Sequence, residues 1–352
     1  MRHTAIRKIG LVLLIVAGAF WVVSPLVLDY PAKTQAVDKL TNTFRPAFTD
    51  AALAQSAADL RTSATFANDF RTKAAPAFAQ QLHITPEQFI TAVAKQYPAV
   101  GAGLVTLPQS LAYFNSVQQT MAAQQQNFHQ ADAIPTKNLP NTTVPWLFIL
   151  PGLIAIALGV FGLAFWRGAV APALAAALGA CVIATTLVIS TPPKTRAVDR
   201  LTDALRPVFT TQSATQARGY VTTLQAMDAQ LTQQVLPGLA SQLHTSPQQL
   251  STNLAEHFPT VATGLQQMPA ILGRIDALVT GVSHNLHDFQ LADAIPSKDL
   301  PTTDVEWQFV IPAALLIAAG GAAAVSGLGR RRFPLADAPT PAPALAEVQH
   351  VA

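Results

Sequence analysis

The chain has a single cysteine in 352 residues, and Cys181 lies inside an apolar run. No disulfide can therefore form within the polar segments, which must hold together by apolar packing alone. A thiol nucleophile or a thiolate-bound metal is excluded there too. Charge is scarce: Asp, Glu, Lys and Arg make up 12% of the chain, about half the share of an ordinary soluble domain. Alternating strand patterns are absent. So are HExxH, GxSxG, phosphate-loop and paired-carboxylate patterns, which leaves no support for the chemistries those motifs carry. No cofactor or metal is implied, and the expectation is a protein that is not an enzyme.

The charge deficit is local. Residues 9–28, 146–166, 169–190 and 307–328 contain no Asp, Glu, Lys or Arg, and each run has roughly the 20 residues needed to cross a bilayer as a helix. Four membrane spans follow. Ionisable groups within spans usually mark transport pathways, and none is present. Ser24, Thr185 and Thr186 are expected to bond to their own helix backbones. Small residues four apart, Ala155/Gly159 and Gly320/Ala324, are expected to pack the spans together. Trp146 and Trp307 mark one membrane interface and Trp166 the other. Ala17-Gly18-Ala19 resembles a signal-peptidase site, but the apolar run continues to Leu28, so an uncleaved anchor is expected.

Basic residues set the orientation. Arg2, Arg7 and Lys8 precede the first span, Arg167 lies between the second and third, and Arg330, Arg331 and Arg332 follow the fourth. The positive-inside rule places these in the cytoplasm. That gives a multi-pass plasma-membrane protein with both termini cytoplasmic. Segment 30–145 carries 8 basic against 6 acidic residues and 191–306 carries 7 against 10, so neither is a basic patch and no nucleic-acid partner is expected.

What the chain does have is a repeat. KTQAVDKLTNTFRPAFT at 33–49 returns as KTRAVDRLTDALRPVFT at 194–210, and ADAIPTKNLP at 131–140 as ADAIPSKDLP at 292–301. The offset is 161 throughout, which points to a duplicated unit. Each copy reads as span, helical domain, span, so both copies share one orientation. The predicted order is cytoplasmic N-terminus 1–8, span 9–28, extracytoplasmic domain 29–145, span 146–166, cytoplasmic turn 167–168, span 169–190, extracytoplasmic domain 191–306, span 307–328 and a Pro/Ala-rich disordered cytoplasmic tail 329–352. The fold class is an all-α membrane protein built by tandem duplication of a span, an extracytoplasmic helical bundle and a second span. This plan is similar in topology to bacterial four-helix sensor domains, although no motif carries the likeness further.

The first copy is expected to hold helices near 33–45, 48–82, 86–96, 98–106 and 108–130, repeated 161 residues later. Thr85-Pro86-Glu87-Gln88 and Ser246-Pro247-Gln248-Gln249 read as capped helix starts. His83 and His244 sit at equivalent helix C-termini, where a cation complements the dipole. His129 and His287 are not shared between the copies. In the second copy Leu272, Ile275, Val279, Val282, Leu286 and Phe289 form a 3-4-3-4-3 seam. In the first, Leu111, Phe114, Gln118, Met121, Gln125 and Phe128 occupy those positions. Two glutamines in the seam imply either looser packing or a partly polar interior that holds water or a ligand.

Charged residues kept in both copies cluster beside the spans: Lys33, Asp38, Arg45, Asp132 and Lys137, with Lys194, Asp199, Arg206, Asp293 and Lys298. They are candidates for a membrane-proximal docking collar, and also for simply fixing each bundle above its spans. Membrane lipids and a protein partner at the outer face are the expected partners; homo-oligomerisation is not required. The leading functional expectation is an envelope scaffold or accessory subunit that binds a partner or ligand. The alternatives are a sensor component signalling through a separate subunit and a carrier of lipid or another hydrophobic ligand.

Overall fold

A computed structural model describes residues 2–165, 169–189, 191–298 and 300–328. Trp166, the 167–168 turn with Arg167, and the 329–352 tail with Arg330, Arg331 and Arg332 lie outside the described residues. Among those described there are fifteen α-helices and no strand. In chain order they are α1 Arg2–Val27, α2 Tyr30–Phe44, α3 Asp50–Asp69, α4 Ala75–Gln81, α5 Pro86–Gln96, α6 Pro98–Asp132, α7 Val144–Ala164, α8 Val170–Val188, α9 Thr191–Leu205, α10 Thr211–Gln230, α11 Leu236–Gln242, α12 Pro247–His257, α13 Pro259–His284, α14 Leu286–Asp293 and α15 Asp304–Leu328. The chain divides into two compact units.

The first unit gathers the chain up to Ser24, the stretch Leu147–Thr186 and the chain from Trp307. Four helical stretches are long and apolar enough to cross a membrane: Ala5–Val27, Asn141–Ala164, Val170–Val188 and Asp304–Ser326. Glycines set their closest approaches. A Cβ on Gly18 would lie 2.6 Å from the Gly152 carbonyl oxygen, and one on Gly152 would lie 2.8 Å from that of Gly18. Gly179 and Gly320 similarly face Ala313 and Pro172 carbonyls at 2.5 and 2.6 Å. Ala155 is fully buried and Gly159 abuts Ile15, so the small residues do pack span against span. Phe148 and Phe309 stack at 3.7 Å, and the Trp21 indole donates to the Gln308 carbonyl. Thr185 and Thr186 donate to the Cys181 and Val182 carbonyls. The Ser24 hydroxyl departs from expectation: it is buried without a hydrogen-bond partner among the described residues.

The second unit contains Pro25–Trp146 and Leu187–Glu306 together. These segments do not form separate bundles. The long α6 of the first segment packs on α9 and α10 of the second, α13 packs on α3, and α14 packs on α2. One cluster of buried side chains accordingly joins Phe66, Phe78 and Val100 to Met227, Val261 and Met268. Interlocking covers apolar faces that each segment would leave open to water, and burial of such area is the main favourable term in folding. Two glycines allow the closest contacts. A Cβ on Gly103 would lie 2.6 Å from the Met227 Cβ, and one on Gly264 would lie 2.7 Å from the Phe66 Cβ. These two contacts stand 161 residues apart on both sides.

Local chemistry explains the helix boundaries. Thr85 and Ser246 form complete capping boxes with Gln88 and Gln249. Pro76 and Pro237 lack an amide hydrogen and crowd the preceding turn. The chain answers with π-turns at Phe70–Ala74 and Leu231–Val235, where Ala75 and Leu236 donate five residues back. These turns split the helices expected over 48–82 and its copy. Pro108 and Pro269, by contrast, lie inside α6 and α13 without ending them, because extensive packing outweighs one missing bond. At His83 and His244 the backbone is left-handed, with φ of 55° and 54°. The amides of Ile84 and Thr245 bond to the Ala79 and Ala240 carbonyls at 2.9 Å. Each histidine therefore occupies the place that glycine usually takes in a helix-ending motif.

Candidate functional site

The ten charges expected to form a membrane-proximal collar are mostly engaged within the second unit. Arg45 grips Asp132 through two bonds of 2.9 and 2.7 Å, and Arg206 grips Asp293 at 3.0 and 2.9 Å. The Asp38 carboxylate accepts the Asn141 and Thr142 amides at 2.7 and 3.1 Å, and Asp199 accepts the Thr302 amide at 2.8 Å. An anion is well placed at such a helix start. The lysines exchange segments: Lys33 donates to the Pro296 carbonyl at 2.7 Å, and Lys194 to the Ala133 and Pro135 carbonyls at 2.9 Å. Burial lowers the pKa of both amines from the ordinary lysine value. Each 131–140-type loop is thus held by an arginine of its own segment and a lysine of the other. Lys137 and Lys298 are exposed on those loops, and Asp132 and Asp293 pair with the arginines instead of with them.

A larger feature, which the repeat-conserved residues did not mark, lies between α2, α3, α6 and α13. It is a half-open cavity of about 350 Å³, walled by Phe44, Leu53, Leu60, Phe114, Met121 and Leu278. Gln118, the polar seam residue, lines it; Gln125, the other, instead donates to the Phe48 carbonyl and to Asp50. Asp59 and Arg274 also line the cavity, and the Arg274 guanidinium meets Asp59 through two bonds of 2.7 and 2.8 Å. The Asp59 side chain is 7% exposed and that of Arg274 47%, so the pair is half-wet. Gln55 adds a 2.7 Å bond to Asp59. The carboxylate's hydrogen bonds raise the pKa of Arg274.

The matching position on the other side is different. Offset by 161, Asp59 corresponds to Tyr220 and Arg274 to Tyr113. Those two rings meet edge to face, 5.8 Å apart, and burial raises the Tyr113 pKa. The space beside them, lined by Phe114, Val117, Val208, Ala217 and Leu278, shrinks to about 20 Å³. Among the described residues no cluster of three metal-ligating side chains occurs. Compared with protein-family models, characterised proteins and solved structures, the chain matches none.

Proposed function

We propose that this is a multi-pass plasma-membrane protein, built by tandem duplication, with both termini in the cytoplasm and its helical unit outside. It works by binding rather than by catalysis, as an envelope scaffold or accessory subunit. The observation that carries this reading is the interlocked helical unit, in which charged residues common to both segments tie down the two loops carrying Lys137 and Lys298. Two braced, lysine-bearing loops suit docking of an acidic protein surface or of lipid phosphates. A Cys181→Ser chain with one new cysteine at Lys137 tests the sidedness. Labelling in intact cells by a membrane-impermeant maleimide is expected, and labelling only after lysis would reverse the topology. Affinity purification in mild detergent tests the partner; loss of a co-purifying protein in a Lys137→Glu/Lys298→Glu chain is the expected result.

A carrier of a hydrophobic ligand is the second reading. The cavity beside Asp59 and Arg274 is the specific observation that favours it.

A further inference from the structure

The two flanks of the helical unit use corresponding elements and the same offset, yet one encloses about 350 Å³ and the other about 20 Å³. The larger space therefore does not follow from the shared helix scaffold. Most of its lining residues differ between the flanks. Four of them, Asp59 for Tyr220, Arg274 for Tyr113, Gln118 for Val279 and Ser56 for Ala217, put a polar group where the closed flank has an aromatic or aliphatic one. Ala52, Ala277 and Gly281, by contrast, stand for Ser213, Ser116 and Thr120. A mere packing fault would leave an apolar void. Here the walls are mostly apolar and a few polar side chains, Asp59, Arg274, Gln118 and Ser56, line them, which is the usual make-up of a small-molecule site.

Size and charge narrow the occupant. A cavity of about 150 Å³ holds one benzene, so this one suits a body of about two fused rings or a short alkyl chain. Asp59 and Arg274 neutralise each other at 2.7 and 2.8 Å. A charged ligand would lose its hydration with no net counter-charge in return. A neutral head group has partners available. Arg274 spends its Nε and Nη2 on Asp59, Gln118 makes only a long 3.5 Å bond to the Leu53 carbonyl, and Ser56 lines the wall.

We propose that the cavity between α3, α6 and α13 is a binding site for a small neutral amphiphile, an apolar body with one hydrogen-bonding head directed to Arg274 and Gln118. It rests on the carrier reading, whose ligand class and contacts it names, and it needs neither the scaffold reading's sidedness nor a protein partner.

The test is calorimetric titration of the full chain in lipid nanodiscs with naphthol, a neutral two-ring alcohol, with empty nanodiscs as the blank for partitioning. Saturable binding of one naphthol per chain is expected, with naphthoate, the same rings bearing a charge, at least tenfold weaker. Ser56→Phe, which fills the cavity, is expected to abolish the saturable phase. Because one bulky substitution can disturb folding, Asp59→Tyr/Arg274→Tyr provides a second route. It installs the ring pair that the opposite flank already accommodates, and it too should abolish binding while helix content by circular dichroism is kept. Ser116→Phe, an exposed position on the closed flank, should bind as the parent does. No saturable phase in the parent chain, undiminished binding in both cavity-filling variants, or naphthoate binding as tightly as naphthol would each overturn the proposal. None of these results bears on the maleimide or purification tests of the scaffold reading.

Discussion

The two flanks of the helical unit face the same physical problem and solve it differently. On one, α3 is tied to α13 by Asp59 and Arg274 beside an open cavity. On the other, α10 meets α6 through Tyr220 and Tyr113 and the space closes. An aromatic pair stabilises by burying area and by edge-to-face geometry. An ion pair stabilises less when half-wet, but it demands its partner, since a lone buried carboxylate is costly. The open flank is thus the more fragile of the two, and a single substitution should expose the difference.

Arg274→Ala is expected to give the largest effect. It leaves the Asp59 carboxylate buried with only Gln55 as partner, and a cost of about 2–3 kcal/mol follows from the desolvation of an unpaired charge, discounted for the exposure of Arg274. Asp59→Ala should cost about 1 kcal/mol, because the half-exposed guanidinium can turn to water. On the closed flank, Tyr113→Phe keeps the ring packing and should change stability by less than about 0.5 kcal/mol. Thermal unfolding of the full chain in mild detergent measures all three. Equal losses for Arg274→Ala and Tyr113→Phe would remove the claimed asymmetry.

The close helix contacts give the next comparison. Gly103→Ala and Gly264→Ala force a Cβ to 2.6 and 2.7 Å of a neighbouring Cβ, and overpacking of this kind costs about 1–3 kcal/mol. Among the described residues nothing lies within 4 Å of where a Cβ on Gly219 or Gly273 would sit, so the same change there should stabilise by about 0.5–1 kcal/mol through helix propensity. Unfolding of the four variants should split them into two pairs of opposite sign. His83→Gly and His244→Gly are expected to be alike, each stabilising by about 1 kcal/mol, because both histidines hold a left-handed backbone that glycine adopts freely.

Much of this was legible in the residues themselves. The charge-free runs located the four apolar helices, and the Thr85 and Ser246 signals located α5 and α12. Pro108 misled because a proline's local penalty is small beside the packing along a 35-residue helix. The interlocking of the segments was hidden, since apolar periodicity shows that a face is buried but not against which helix. The cavity was half-visible. Gln118 in a largely apolar seam hinted at it, but Asp59 and Arg274 lie outside the stretches that recur at offset 161, and those stretches point to the collar. The sharper signal was a paired difference at offset 161: Asp59 and Arg274 stand in one flank where Tyr220 and Tyr113 stand in the other, a charge pair against a ring pair.

The same logic sets the smallest expected effect, at the starts of α13 and α6. Asp69 accepts the Thr260 hydroxyl at the start of α13, while the equivalent Gln230 accepts the Ala99 and Val100 amides at the start of α6, at 2.9 and 3.1 Å. The Thr260 bond, followed by Lys73, holds the Asp69 pKa below its ordinary value of 3.8. The unfolded chain therefore binds the proton more readily than the folded one. The contribution is complete above the unfolded value and is lost as pH falls through the folded value. One helix start should thus be acid-sensitive and the other not. Asp69→Asn is expected to flatten the fall in thermal stability below about pH 4, and Gln230→Glu to steepen it while adding about 0.5 kcal/mol at neutral pH from a carboxylate at a helix N-terminus. Unfolding temperatures measured from pH 3 to 7 decide it: parallel curves for the parent chain and both variants would show that the two helix starts respond to acid alike.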